Sequence, residues 1–285
     1  MTRAHEAEAA LRNHLAADSS SAALDAALLL AHVLGLSRAA LAARPELELT
    51  AAQAVRLGRL AVRRAAGEPL AYLTGRREFW SLDLDVTPDV LVPRPETELL
   101  VEWALEILSG KPGPAVLDLG TGSGAIALAL GKEQPSWKIT ATDISPAALK
   151  VAHGNAQRLG ITTIEFLRSD LFKELDSRFR GKDVAAKFDL IVSNPPYVAE
   201  GDPHLAELKF EPAIALTSGT DGLDALRVIV AGAPEHLRAG GWLLVEHGAQ
   251  QGEAVRALFR AAGFAGIETR RDLAGLERAT GGRIA

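Results

Sequence analysis

The stretch AVLDLGTGSGAIALALG, residues 115–131, decides how this chain is built. It opens with a strand-length apolar run, interrupted only by Asp118. Gly120, Gly122 and Gly124 follow in alternation, and an alanine–leucine helix pattern begins directly after them. Bare backbone at such a turn lets a ligand lie against the chain, and the helix start supplies unpaired N–H groups. The G-x-G-x-G spacing suits nicotinamide cofactors as well as others, so it predicts a site without naming the occupant. Asp118, just before the loop, is expected to face a cationic or amine-bearing ligand.

Outward from this loop, strand and helix patterns alternate. KITATD (138–143), IEFLRSD (164–170), FDLIVSN (188–194) and GWLLVEH (241–247) read as strands. PAALKVAHGNAQRLG (146–160), LDALRVIVAGAPEHL (223–237) and GEAVRALFRAAGF (252–264) read as helices, and a strand pair closes the chain. The alternation predicts an α/β domain, a parallel sheet with helices on both faces that binds at the carboxyl ends of its strands. On that edge Asp143 is placed to accept both ribose hydroxyls of a nucleoside. Asp170 stands where an adenine amino group would be met, with Leu171 beside it to cover the ring. Either carboxylate alone could simply cap the next helix; the set points to a cofactor.

Residues 1 to about 74 carry helical patterns only. Leu24, Ala27, Leu28, Ala31 and Leu34 recur at helical spacing after the cap-like run Asp18-Ser19-Ser20-Ser21. A later helix opens at Thr50 with Gln53 three residues on, a capping-box pattern, and runs through Val55, Leu60 and Ala61 toward Gly67. A small helical bundle over 1–74 is expected. His5, His14 and His32 are scattered in it and read as structural or solvated. REFWSLDLDVTPDVLV (77–92) alternates apolar and polar residues, which predicts a β-hairpin linker over 75–92 with Trp80 packed against one domain. PRPETELLVEWALEIL (93–108) then starts the second domain, 93–285, on a helix, with Pro95 in its first turn and Glu96 and Glu98 at its positive end.

Composition narrows the function class. The 285 residues are 48% hydrophobic and 24% charged, enough for two globular cores. The absence of cysteine excludes disulfides, thiolate zinc sites and a cysteine nucleophile, and no metal is expected. A net charge of -5 and a pI near 5.8 argue against a duplex-binding protein, whose affinity comes from neutralising phosphates. MTRAHEAEAALRNHL carries acids where a secretory signal would be apolar, and the apolar run in DAALLLAHVLGL is too short to span a membrane. The expectation is a soluble, cytoplasmic protein.

LDLGTGSG together with TATDIS resembles the S-adenosylmethionine site of the Rossmann-like methyltransferases. The resemblance implies S-adenosyl-L-methionine as cofactor and S-adenosyl-L-homocysteine as product. Its contacts would be Gly120, Thr121, Gly122, Ser123, Gly124, Asp143, Ile144, Asp170, Leu171 and Asn194.

The reaction end is FDLIVSNPPYV (188–198), where a strand stops at Asn194 and Pro195, Pro196 and Tyr197 follow. The bland reading is a rigid turn with a packed tyrosine. The sharper one is a grip on a planar nitrogen, whose delocalised lone pair is a poor nucleophile until its N–H groups are held. Asn194 offers a side-chain carbonyl, Pro195 a backbone carbonyl at a restricted φ, and Tyr197 an aromatic face. A sulfonium leaves as a neutral thioether, and the methylated nitrogen can release its proton to water. No strong base is then required.

N/D-P-P-Y/F motifs serve methyltransferases that act on adenine, guanine or glutamine, and the flanks choose among them. Residues 68–102, FDLIVSNPPYV, FEPAIAL (210–216) and SGTDGLDALR (218–227) resemble the peptide chain release factor glutamine methyltransferases, the HemK/PrmC family, along nearly the whole chain. The resemblance implies methylation of the side-chain amide nitrogen (N5) of the glutamine in the GGQ motif of release factors 1 and 2, a step tied to translation termination. Asn194, Pro195 and Tyr197 would be catalytic, and Asn194, Pro195, Pro196 and Tyr197 would grip the glutamine. The N-terminal domain would recognise the release factor, with Phe79, Arg94, Glu96 and Thr97 shaping the cleft. A monomer with no nucleic-acid substrate and no membrane partner is expected. A ribosomal protein glutamine methyltransferase is the nearest alternative, and a nucleic-acid amino-methyltransferase a more distant one. The chain departs from its relatives at Leu171, where a ring is common, and at His247, which is expected to be a buried, satisfied imidazole.

Overall fold

The computed structural model describes residues 2–17, 19–175 and 187–285. It divides into two compact units, Met1–Arg76 and Arg77–Ala285. Among the described residues no helix is long and apolar enough to cross a membrane.

Among the described residues of the first unit a two-residue ribbon, β1 (Thr2–Arg3) and β2 (Glu48–Leu49), accompanies five helices. These are α1 (Ala4–Leu15), α2 (Ala22–Leu34), α3 (Arg38–Ala42), α4 (Ala51–Ala65) and α5 (Leu70–Thr74). Helix α4 opens on a capping box: Gln53 N donates to Thr50 Oγ1 at 3.2 Å, and Thr50 N donates to Gln53 Oε1 at 2.9 Å. The buried stripes differ from the sequence reading. Leu24 and Val55 are exposed, at 43% and 57%, whereas Leu29, Leu30 and Val33 of α2 and Leu57 of α4 enter the core beside the expected Ala31, Leu60 and Ala61.

The cause in α2 is Asp25, which sits on the buried side and disguises the stripe. Its carboxylate accepts from Arg64 Nε at 2.8 Å and from the hydroxyls of Ser19 at 2.7 Å and Ser21 at 3.1 Å. Those serines therefore serve Asp25, and neither caps the helix with its side chain. Asp18 lies outside the described residues. Removing one partner of a buried pair of this kind costs roughly 3–5 kcal/mol.

The hairpin is shorter than expected, β3 (Arg76–Phe79) with β4 (Leu82–Asp85). Trp80 and Ser81 make its turn at φ +51° and +57°, the sign that tight hairpin turns require. Glu98 Oε1 accepts from Trp80 N at 2.9 Å and Glu78 Oε1 from Ser81 N at 2.6 Å, which holds this glycine-free turn. Phe79, Leu82 and Leu84 are buried with Trp103 in the core of the second unit. A 3-10 turn, Pro95–Thr97, leads from there into α6 (Glu98–Ile107).

Five neighbouring strands pair in parallel: β5 (Ala115–Leu119), β6 (Lys138–Asp143), β7 (Ile164–Arg168), β8 (Phe188–Ser193) and β9 (Leu237–Glu246). The closing pair, β10 (Ala265–Arg271) and β11 (Glu277–Arg283), is antiparallel, and the sheet order is β10-β11-β9-β8-β5-β6-β7. Every residue of β8 is buried, as a central parallel strand covered on both faces should be. Side chains alternate between two cores. Val116, Leu190, Val192 and Leu244 pack with α6, α7 (Ala125–Glu133) and α8 (Pro146–Leu159). Leu117, Ile191, Leu243 and Val245 pack with α9 (Asp224–His236) and α10 (Gly252–Ala261). From β5 the chain winds outward to β6 and β7, then returns to β8 on the other side. That reversal opens a crevice at the carboxyl ends of β5 and β8.

Candidate active site

A cavity of about 250 Å³ lies at this edge. Its walls include Gly120, Thr121, Gly122, Ser123, Asp143, Ile144, Asp170, Leu171, Asn194 and Pro196. Gly124, Pro195 and Tyr197, also expected at the site, are not among its walls.

The glycine loop is tied to β6 before α7 begins. Gly120 N and Thr121 N donate to Thr142 O at 2.9 and 2.8 Å, and Gly122 N donates to Asp143 Oδ2 at 2.9 Å. Gly120 and Gly122 have φ of +73° and +56°, and a Cβ added to either would meet nothing within 4 Å. The loop therefore offers bare backbone to open space on the cavity wall. Gly124 differs: a Cβ there would come 2.9 Å from Leu128 Cδ1 and 3.2 Å from Ala152 Cβ. It serves the packing of α7 on α8 and makes no cradle.

Asp118 does not face the cavity, contrary to expectation. Strand alternation puts it on the Val116 side of the sheet, fully buried. Thr121 Oγ1 donates to its Oδ2 at 2.6 Å, and among the described residues Oδ1 has no hydrogen-bond partner. Burial pushes this carboxyl up to about 7, and the Thr121 bond offsets only part of the rise. Its contact is with the loop.

Asp143 lines the cavity and joins the glycine loop to the start of α8. Its Oδ1 accepts from Ser145 N at 2.9 Å at the start of α8, and its Oδ2 holds Gly122 N. Each oxygen keeps a second lone pair that a ribose hydroxyl can use. Burial raises its pKa above the ordinary carboxylate value. Asp170 lines the cavity while its Oδ2 pairs with Lys173. Leu171 follows at φ +51°, and Ser169 Oγ donates to its carbonyl at 2.6 Å. Asn155, absent from the sequence reading, is fully buried and donates to Ser123 O at 3.0 Å and Asp85 O at 2.9 Å. An open glycine cradle, carboxylates with spare lone pairs and the apolar flanks Ile144 and Leu171 fit a nucleoside joined to an amino acid.

Strand β8 ends at Ser193, whose hydroxyl donates to Leu119 O at 2.7 Å and pins the next residues to the glycine-loop strand. Asn194 Nδ2 donates to Thr97 Oγ1 at 3.0 Å, Thr97 Oγ1 donates to Glu246 Oε2 at 2.7 Å, and Tyr197 OH donates to Glu246 Oε1 at 3.1 Å. Glu246 is 1% exposed. Burial pushes its carboxyl up to about 7, offset in part by Thr97 and Tyr197. Burial, then the neighbouring Glu246, pushes the Tyr197 phenol upward, so it stays protonated. Glu246 escaped the sequence reading. The available signal was an acid closing the apolar run WLLVE, as Asp143 closes KITATD.

The remaining wall carries Arg94, Thr97, Pro212 and Ile214. Arg94 pairs with Glu211, a buried carboxylate that also accepts from Val92 N at 3.0 Å. Of the residues expected to shape the cleft, Arg94 and Thr97 do line it. Phe79 is instead 1% exposed in the core, and Glu96 is exposed and not among the walls. His247 is buried, with Nε2 at 2.9 Å from Thr280 Oγ1 and Nδ1 at 2.9 Å from Gly248 O. It is a satisfied imidazole, as expected, and burial lowers its pKa.

The strand order, glycine loop and acidic strand ends define a class I methyltransferase. Residues 96–214 match the methyltransferase small domain, and residues 5–75 match the PrmC N-terminal domain. The chain is 53% identical over 269 residues to the release factor glutamine methyltransferase of Burkholderia pseudomallei, covering 92% of each. It is 51% identical to that of Bordetella pertussis over 276 residues, covering 96% of this chain and 99% of that one. The chain belongs to the release factor glutamine methyltransferase family. Its fold is shared with the T. thermophilus 16S rRNA N2 G1207 methyltransferase, solved with AdoMet and guanosine, at a TM-score of 0.53 and 20% identity, covering 74% of this chain and 50% of that one. It is shared equally with the N-terminal domain of human METTL16 in complex with SAH, at a TM-score of 0.53 and 16% identity, covering 85% and 86%. At these identities the likeness is one of fold.

Proposed function

We propose that this protein transfers the methyl group of S-adenosyl-L-methionine to the side-chain amide nitrogen, N5, of the glutamine in the GGQ motif of release factors 1 and 2. The observation that carries the reading is Asn194, which shares a cavity with the glycine loop and Asp143 while Thr97 occupies its amide nitrogen. Family membership favours a release factor over a ribosomal protein as the methyl acceptor.

The cofactor would supply a sulfonium methyl whose leaving group is the neutral thioether of S-adenosyl-L-homocysteine. Gly120 and Gly122 receive its amino-acid part against bare backbone, and Asp143 accepts from the ribose hydroxyls. Ile144 and Leu171 flank the adenine, and Asp170 meets its amino group. Asn194 Oδ1 and the Pro195 carbonyl accept the two N–H groups of the glutamine amide and so aim its lone pair. Pro195 is buried, and its ring holds φ fixed, so the second acceptor is rigid. Tyr197, whose hydroxyl is held by Glu246, follows directly on Pro196 of the cavity wall. Positioning of this kind supplies up to about 7–11 kcal/mol. The nitrogen, once methylated, loses its proton to water, so no protein base takes part. The helical first unit recognises the body of the release factor, and the enzyme acts as a cytoplasmic monomer.

The test is incubation with methyl-labelled S-adenosylmethionine and purified release factor, ribosomal protein or DNA. Label on the GGQ glutamine is expected. Label on DNA or ribosomal protein, with none on the GGQ peptide, overturns the reading.

A further inference from the structure

We propose that Glu246 is a positioning residue for methyl transfer: through Thr97 it sets which end of the Asn194 amide faces the acceptor, and through its other oxygen it anchors the Tyr197 ring. This rests on the glutamine methyltransferase reading of the site and deepens it.

Counting donors and acceptors leaves one solution. An ionised carboxylate only accepts, so the Thr97 hydroxyl gives its single proton to Glu246 Oε2 at 2.7 Å. The Thr97 oxygen is then left to accept, and the Asn194 group 3.0 Å away must be its NH2. Oδ1 is thereby the end left for the cavity that Asn194 lines, and an acceptor is what an incoming amide N–H needs. The second Glu246 oxygen takes the Tyr197 hydroxyl at 3.1 Å. One carboxylate at the end of β9 thus orients both sides of the grip that follows β8.

Protonation removes the uniqueness. A neutral Glu246 has a donor of its own, so Thr97 can turn its proton toward Asn194. The flipped amide, with NH2 toward the cavity, is then equally well bonded and presents a donor to a donor. The charged groups facing Glu246 are Arg278 on β11, which favours the ionised form, and Glu96 beside Thr97, which opposes it. Burial outweighs both and brings this carboxyl up to about 7, so the change from one solution to two falls within a working pH range.

The test is the kinetics of Glu246→Gln, Thr97→Val and Thr97→Ser on purified release factor, with S-adenosylmethionine affinity measured separately by calorimetry. Glu246→Gln keeps the shape and loses the pure acceptor; kcat is expected to fall at least about tenfold with cofactor affinity within about twofold. Thr97→Val is expected to lose a similar factor, and Thr97→Ser, which keeps the hydroxyl, to recover most of the rate. Wild-type kcat should rise with pH through about 7 and level off above it, and Glu246→Gln should lack that rise. A folded Glu246→Gln enzyme with wild-type kcat and pH profile overturns the proposal, as does an equal loss in Thr97→Ser and Thr97→Val. A wild-type enzyme that labels no release factor overturns the underlying reading, and the proposal falls with it.

Discussion

The Ser169 hydroxyl donates to the Leu171 carbonyl at 2.6 Å and holds Leu171 at φ +51° on the cavity wall. A leucine in the left-handed region costs about 1–2 kcal/mol, and such strain collects at ligand sites. Leu171→Gly is therefore expected to leave folding stability unchanged or raise it by up to about 1 kcal/mol. S-adenosylmethionine affinity should fall about tenfold as the apolar cover is lost. Thermal unfolding and calorimetry check the pair; lower stability with unchanged affinity would contradict it.

Asn155 joins the hairpin to the glycine loop. Its Nδ2 reaches Ser123 O and Asp85 O, and its Oδ1 accepts from Asp85 N at 2.7 Å. Asn155→Leu keeps much of the volume but strands these buried backbone groups, each worth about 1–3 kcal/mol when unsatisfied. A stability loss of at least about 2 kcal/mol in denaturant is expected, together with weaker cofactor binding as Ser123 is released.

Asn194→Ala removes the acceptor proposed for the glutamine amide. Turnover is expected to drop at least about 100-fold, as when one oriented polar group is removed from an active site, while cofactor affinity changes by less than about tenfold. Tyr197→Phe keeps the ring and loses only the bond to Glu246, so its loss in kcat should be smaller. Steady-state kinetics beside binding isotherms separate the two effects. Wild-type turnover in Asn194→Ala would remove its assigned role.

Asp118 makes stability depend on pH with a definite sign. Its carboxyl is held near 7 when folded against 3.8 as the reference value, so between these the folded state binds more protons than the unfolded one. Stability contributed by this group therefore falls as pH rises through that window. Over three pKa units the effect is on the order of 4 kcal/mol. Asp118→Asn, which cannot ionise, should lose less stability than the wild type between about pH 5 and pH 8. Urea unfolding at the two pH values measures the difference, and parallel losses in both proteins would refute it.

Where local chemistry decides, the sequence was legible. The alternating glycines of the loop, the turn from Asp143 to Ser145 and the Thr50–Gln53 capping box each depend on neighbours two or three residues apart. The bundle helices were harder, because a run as apolar as AALLLAHVL fits several helical stripes. Only the partner of Asp25, Arg64 on another helix, shows which stripe is buried. Asp118 was misread because a carboxylate beside a ligand loop and one turned to the other side of its strand look alike in one dimension.

The sequence by itself determined the alternation of strands and helices, the loop of bare backbone, the rigid NPPY turn and, by resemblance, the family. Tertiary structure alone decided how those parts are oriented. Thr97 and Glu246 lie 149 residues apart and Arg94 and Glu211 lie 117 apart, yet each pair shares a hydrogen bond. A buried polar group must find a partner or lose several kcal/mol. Which partner it finds depends on which strand ends meet at the edge, and here the order β9-β8-β5 brings Glu246, Asn194 and the glycine loop to one place.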